Sequence, residues 1–224
     1  MLDDRLSKIA SLVKKDAILL DIGCDHGFLT ISLLNNNLIN KAYAADVNEG
    51  PLKNVKNNVK KYQLESKIDC ILSDGLEKFT KVKFDCVVIA GMGGSLIADI
   101  LSKQINLIRD KQLILQPNIN SEGLRKFLLD NNIFINQEYL IKDNDIFYYI
   151  IECSSGTNLE YSDFELKYGK NIEENEMFYE YLNDELKKYK KYLKKIPKDN
   201  YKHQEFLKKI EIIEVRLNEK RKTN

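Results

Sequence analysis

The chain has 224 residues, long enough for one substantial core plus an appendage but too short for two large domains. Its 35 Lys and Arg balance 34 Asp and Glu, so a net charge of +1 excludes a basic field over the whole molecule while leaving room for a local patch. Cys24, Cys70, Cys86 and Cys153 stand singly without a C-x-x-C pair, three of them in apolar, strand-like surroundings, which points to reduced thiols and a cytoplasmic protein.

The amino end, MLDDRLSKIASLV, carries acids where a signal peptide has a basic segment. No apolar run approaches the ~18 to 20 residues that span a bilayer, so no membrane association is expected. Leu6, Ile9, Ala10 and Val13 recur at helical spacing and predict an amphipathic helix ahead of the first strand. AILLDI (17–22) then reads as a buried strand ending in a glycine-rich turn, and KAYAAD (41–46), KIDCIL (67–72), FDCVVIA (84–90) and QLILQ (112–116) follow in the same style. The gaps leave room for crossover helices, which is the rhythm of a parallel, doubly wound sheet covered on both faces. IFINQEYLI (133–141) and IFYYIIECS (146–154) are separated only by KDND, which permits an antiparallel hairpin and nothing longer. Five parallel strands followed by a hairpin match a Rossmann-like methyltransferase sheet better than a dehydrogenase sheet.

Beyond SSGTN (154–158) the strands stop. Phe178, Leu182, Leu186, Tyr189, Leu193 and Ile196 advance by three or four, as do Phe206, Ile210, Ile213 and Leu217, with Pro197 between the two series. The expectation is an α/β domain over 1–155 and a helical coiled-coil hairpin over 156–224. The hairpin can close on itself or on another chain, and a monomer is favoured. Its stretch KKYKKYLKKIPK (187–198) holds seven lysines and no acid, the local patch that the balanced total conceals.

The chemistry-bearing residues fall at strand ends, where open parallel sheets bind ligands. In DIGCDHG, Asp21 closes the first strand, Gly23 and Gly27 flank the turn, and Cys24, Asp25 and His26 lie within it. Such a turn brings backbone N–H groups to a ligand, but a pyrophosphate would be repelled by Asp25. S-adenosylmethionine instead carries an ammonium and a sulfonium, so Asp21 and Asp25 suit it; capping the next helix is the competing reading of Asp25. Asp46 ends the second strand, where a carboxylate can accept both ribose hydroxyls, with Val47 and Asn48 beside it. Asp74, in SDGL, can accept from an exocyclic amine of adenine, with Gly75 in the turn and Leu76 or Val47 as an apolar face. In AGMGG (90–94), three glycines expose backbone and admit a planar group, with Ala90 and Gly91 toward the cofactor and Met92 packing against it; a tight, closely packed strand-to-helix turn is the competing reading. Asn118, in QPN, can bind a base edge, or simply cap the following helix. His26 and His203 have no companions at metal-ligand spacing, so no metal is expected.

RLSKIA, DIGCDHG, ADVNEGPLKN, SDGL, VIAGMGG and LILQPN together resemble the TrmK family of tRNA (adenine 22-N1)-methyltransferases. The resemblance implies a Rossmann-like domain, a carboxy-terminal coiled coil, S-adenosyl-L-methionine as cofactor and methyl transfer to an adenosine of tRNA. On that reading Asp25, Met92 and Asn118 serve catalysis, with Asp25 facing the charge that develops on the base. Lys187, Lys188, Lys190, Lys191, Lys194 and Lys195 then contact RNA phosphates with Tyr189 and Tyr192 stacking, against the competing reading of a solvated helical face. Arg5 serves RNA or closes over the cofactor. A methyltransferase of a small molecule, and a non-catalytic RNA-binding protein of the same fold, are the rival readings.

Overall fold

A computed structural model describes residues 2–223. Residues up to Ile172 make one compact unit and those from Glu173 onward a second. In chain order the first unit runs α1 (Asp4–Leu12), β1 (Ile18–Ile22), α2 (Phe28–Asn35), β2 (Lys41–Asp46), α3 (Glu49–Lys61), β3 (Ile68–Leu72), β4 (Cys86–Gly93), α4 (Gly94–Ser102), α5 (Ile105–Ile108), β5 (Gln112–Ile119), α6 (Ser121–Asp130), β6 (Phe134–Asp143), β7 (Ile146–Ser154) and α7 (Asp163–Tyr168).

The strands form one sheet in the order β3-β2-β1-β4-β5-β7-β6. The first five are mutually parallel, and β7 inserts antiparallel between β5 and β6. Continuous apolar runs produce this because both faces are covered. Leu19 and Val88 enter a core completed by Ile9 of α1, Ile31 of α2 and Val55 of α3. Their neighbours Leu20, Val87 and Ile89 enter the opposite core with Ile97 of α4 and Leu124 of α6. The order reverses between β1 and β4, and the crevice beyond their carboxyl ends is the ligand-binding place of this fold, a Rossmann-like methyltransferase sheet.

Three features differ from the sequence expectation. Asn144 and Asp145 both take positive φ, 49° and 61°, so the hairpin turn is a two-residue loop and β6 continues to Asp143. β4 and β5 run on into AGMGG and QPN, because pairing resumes past a bulge with Met92 opposite Pro117 and Gly93 opposite Ile119. Residues 156–172, counted by composition with the tail, belong to the first unit, and α7 starts there on a reciprocal cap between Ser162 and Glu165. Arg125 fastens this segment. Fully buried, it donates from Nε to Glu138 Oε2 at 2.8 Å and from Nη1 to the carbonyls of Leu166 and Lys167.

The second unit is a helical hairpin of α8 (Glu176–Leu193) and α9 (Tyr201–Thr223). Asn175 caps α8 by accepting from the Phe178 N–H. Phe178, Leu182 and Tyr189 of the first helix and Ile210, Ile213 and Leu217 of the second are buried. Tyr189 meets Phe206 near the connection while Tyr179 meets Lys220 far from it, so the helices run antiparallel.

Candidate functional site

β1 delivers Asp21 to the mouth of the crevice, and the chain then turns through Gly23, Asp25 and Gly27, with φ of 72°, 48° and 70°. The Gly23 and Cys24 N–H groups donate to the Ala45 carbonyl, lashing the turn to β2. A side chain at Gly23 would fall 2.1 Å from Met92 Cε, so a glycine here is what lets Met92 lie over the turn. Asp21 is buried and accepts from Thr30 Oγ1 at 2.8 Å. Burial pushes its pKa up to about 6, against the smaller lowering effect of the Thr30 bond. Burial, with the charges of Asp21 and Asp46, also drives the Cys24 thiol up, so Cys24 is a neutral part of the wall.

At the end of β2, Asp46 is buried and its Oδ1 accepts from the Asn48 N–H at 2.8 Å, which leaves Oδ2 for a ligand. Val47 and Asn48 are exposed beside it. After β3, Asp74 is exposed and its Oδ2 takes Lys103 Nζ at 2.7 Å. Asp25 and His26 stand at the rim, with Asp25 Oδ2 3.6 Å from His26 Nε2 and the His26 ring stacked on Phe28. Across the crevice, the buried Gln116 of β5 accepts from Arg5 Nη1 and from the Gly91 N–H, and donates to Asn118; Arg5 also lies over the Tyr148 ring of β7.

These groups enclose a cleft of about 630 Å³. Asp21, Gly23, Cys24, Asp25, His26, Asp46, Val47, Asn48, Asp74, Gly75, Ala90, Gly91, Met92, Asn118 and Arg5 all line it. Two expected residues do not. Leu76 is 1% exposed and packs beneath the turn with Phe79 and Ile97, because the chain after Gly75 folds inward to close the second core; Val47 and Ile100 supply the apolar wall instead. Gly27 sits behind the wall against Val55 as the residue preceding α2, so it shapes the turn rather than the surface.

Ser73, Phe28, Leu96, Ile100 and Tyr148 line the cleft without having been anticipated. A signal existed for Gln116, a buried amide that directly follows the apolar run Leu113–Leu115 in β5. None existed for Tyr148, one aromatic among several in β7.

The six tail lysines, Lys187, Lys188, Lys190, Lys191, Lys194 and Lys195, are exposed on the second unit. Lys187 pairs with Asp184, Lys188 with Glu185 and Lys190 with Glu214. Tyr189 is buried against Phe206 and so cannot stack on a base; Tyr192 keeps an exposed ring.

Among the described residues, the carboxylates Asp21, Asp25, Asp46 and Asp74 line the cleft against Arg5, with Lys103 paired to Asp74; the remaining acidic excess makes the cleft a place for a positively charged guest and a poor one for a pyrophosphate. Among the described residues, no group of three or more His, Cys, Asp and Glu has the arrangement of a metal site.

A family model described as tRNA (adenine(22)-N(1))-methyltransferase matches residues 19–215. A Bacillus subtilis protein of that name is 33% identical over 156 residues, which are 69% of this chain and 66% of that one. A Mycoplasma capricolum TrmK structure in complex with S-adenosyl-homocysteine is 32% identical, with a TM-score of 0.88 over 97% of this chain and 98% of that one. A Streptococcus pneumoniae structure in complex with S-adenosyl-L-methionine is 33% identical, with a TM-score of 0.87 over 96% of this chain and 98% of that one.

Proposed function

The chain belongs to the family of tRNA (adenine(22)-N(1))-methyltransferases, and on that premise we propose that it transfers the methyl group of S-adenosyl-L-methionine to N1 of an adenosine in the D-arm region of tRNA. The observation that carries the reading is the acidic cleft at the carboxyl ends of β1, β2 and β3, with Asp21 and Asp46 buried and aimed into it. Bound there, S-adenosyl-L-methionine supplies an electrophilic methyl on a sulfonium.

The residues fit that cofactor. Asp21, ionised at neutral pH, would hold a cation at the turn; Asp46 would accept ribose hydroxyls through Oδ2 and Asp74 an amine through its second oxygen, with Val47 and Ile100 as the apolar wall for the base. Met92 and the Gly91 backbone face the side where the base enters. Adenine N1 carries its lone pair at neutral pH, so the protein has no proton to remove before attack. Positioning therefore contributes more than proton transfer would, since effective molarities of ~10⁵ to 10⁸ M correspond to roughly 7 to 11 kcal/mol, against the ~10² to 10⁴-fold of acid–base help. The base becomes cationic as it is methylated, and Asp25, at the rim, faces that charge. N1 is engaged in folded RNA, so the adenosine is unstacked before it enters.

Arg5, whose guanidinium is held by Gln116 and Tyr148, serves the base-side wall in this reading. The exposed tail lysines support phosphate contacts. A tRNA substrate and four free cysteines support a cytoplasmic location; among the described residues no helix is long and apolar enough to cross a membrane. α8 and α9 bury their apolar faces on each other, which supports a monomer.

Incubation of the protein with labelled S-adenosyl-L-methionine and unmodified tRNA, followed by nucleoside mass analysis, tests the reading. One mole of 1-methyladenosine per mole of tRNA is expected. Label in another nucleoside, or turnover on a small molecule without RNA, overturns it.

A further inference from the structure

Gln116 is fully buried, in a strand whose preceding residues Leu113, Ile114 and Leu115 are apolar. A buried amide must find partners at both ends, and this one does. Its Oε1 accepts from Arg5 Nη1 at 2.6 Å and from the Gly91 N–H at 3.0 Å. Both partners can only donate, so the oxygen is identified by its surroundings and Nε2 is the atom that faces Asn118. Nε2 donates to Asn118 Oδ1 at 3.0 Å, and Asn118 Nδ2 donates to the Gly91 carbonyl at 2.8 Å. That carbonyl can only accept. Turning either amide over would therefore set like against like at its contacts, with buried groups left unpaired.

Asn118 is exposed and lines the cleft. After these bonds it still has one lone pair on Oδ1 and one hydrogen on Nδ2. Adenine offers a donor, its 6-amino group, beside the acceptor N7, whereas guanine offers two acceptors, O6 and N7, along the same edge. An amide oxygen held as an acceptor matches the first edge and repels the second. Reading N6 and N7 also leaves N1 open to the methyl donor.

We propose that Gln116 is a positioning residue that sets base choice: by locking the polarity of the Asn118 amide, it makes Asn118 accept from the 6-amino group of adenine and reject guanine. The inference rests on the adenine-N1 reading above and deepens it.

Gln116→Glu isolates the effect. A carboxylate at 116 still accepts from the Gly91 N–H and binds Arg5 more strongly, but it turns an acceptor toward Asn118 Oδ1, where a donor is needed. The expected result is an unchanged affinity for S-adenosyl-L-methionine, a modestly lowered melting temperature from the buried acceptor pair, and kcat/KM for tRNA lowered roughly 10- to 100-fold.

The readout that a merely structural role would not move is a substrate cycle. In it, tRNA carrying purine riboside in place of the target adenosine lacks the 6-amino group, and the loss this causes is compared in wild type and variant, so that the intrinsic difference in N1 reactivity cancels. The loss is expected to shrink at least ~5-fold in Gln116→Glu. An equal loss in both proteins, or a variant as active as wild type on adenosine, overturns the proposal. Should Gln116→Glu fail to bind cofactor, Gln116→Met, of similar length and without polarity, is read by the same cycle. Failure of the parent reading is visible separately, since wild type would then form no 1-methyladenosine.

Discussion

Asp21 combines two properties that pull against each other. It is buried, which favours its neutral form, and it faces the cleft, where a cation requires its charged form. With a folded pKa of about 6 against an ordinary 3.8, it adds to stability fully below about pH 3.8, and that contribution is lost as pH rises through about 6. At pH 7.5 the free protein therefore holds an ionised carboxylate at a cost of order 1 to 3 kcal/mol. Asp21→Asn keeps an acceptor for Thr30 without the charge. Thermal unfolding should find this variant more stable than wild type at pH 7.5, with the difference shrinking as pH falls through about 6 and vanishing near 3.8. Calorimetry should find its affinity for S-adenosyl-L-methionine reduced at least tenfold at pH 7.5, and wild-type affinity should rise with pH between 5 and 7. A variant less stable at pH 7.5, or wild-type binding indifferent to pH, would show that Asp21 is neutral in the working enzyme.

At the scale of elements, the strands that were legible are those whose burial is two-sided, since continuous apolar runs such as Cys86–Ile89 have no other use in a chain of this charge. Their ends were not legible. Gly91, Gly93 and Pro117 look like strand breakers, yet β4 and β5 carry on through them by bulged pairing, and it is this extension that brings Gly91 against Gln116 and Asn118. Site carboxylates could be found from strand ends alone because the fold puts ligands there. The Arg5–Gln116 contact could not, because it joins positions 111 apart in the chain. Arg125 was equally hidden: a basic residue on an amphipathic helix reads as solvated, but this one is fully buried against Glu138. Removing one member of such a pair leaves a buried charge, so Arg125→Met should lower stability by about 3 to 5 kcal/mol and the melting temperature by roughly 6 to 20 °C. Adding Glu138→Leu should recover much of that loss. A single variant within about 2 °C of wild type would mean that water reaches Glu138 once the arginine is gone.

For the molecule as a whole, balanced net charge conceals a division between an acidic cleft in the first unit and a lysine-rich helix in the second. The six lysines of that helix are not equivalent. Lys187, Lys188 and Lys190 face carboxylates at 3.1, 3.1 and 2.6 Å, whereas among the described residues no carboxylate lies within ion-pair distance of Lys191, Lys194 or Lys195. An exposed ion pair contributes little to stability but does offset the field a phosphate would feel. The unpaired three should thus supply most of the attraction for RNA. Each phosphate contact adds about 0.7 to 0.9 to the slope of log affinity against log salt. Replacing Lys191, Lys194 and Lys195 by Gln should therefore lower that slope by about 2 to 3 and weaken tRNA binding at low salt, with affinity for S-adenosyl-L-methionine untouched. The same replacement at Lys187, Lys188 and Lys190 should change the slope by less than half as much. Filter-binding titrations of tRNA at several potassium chloride concentrations measure both. Equal slopes in wild type and the first triple variant would assign these lysines to keeping a helical hairpin soluble, and the RNA contact would have to be sought on the first unit.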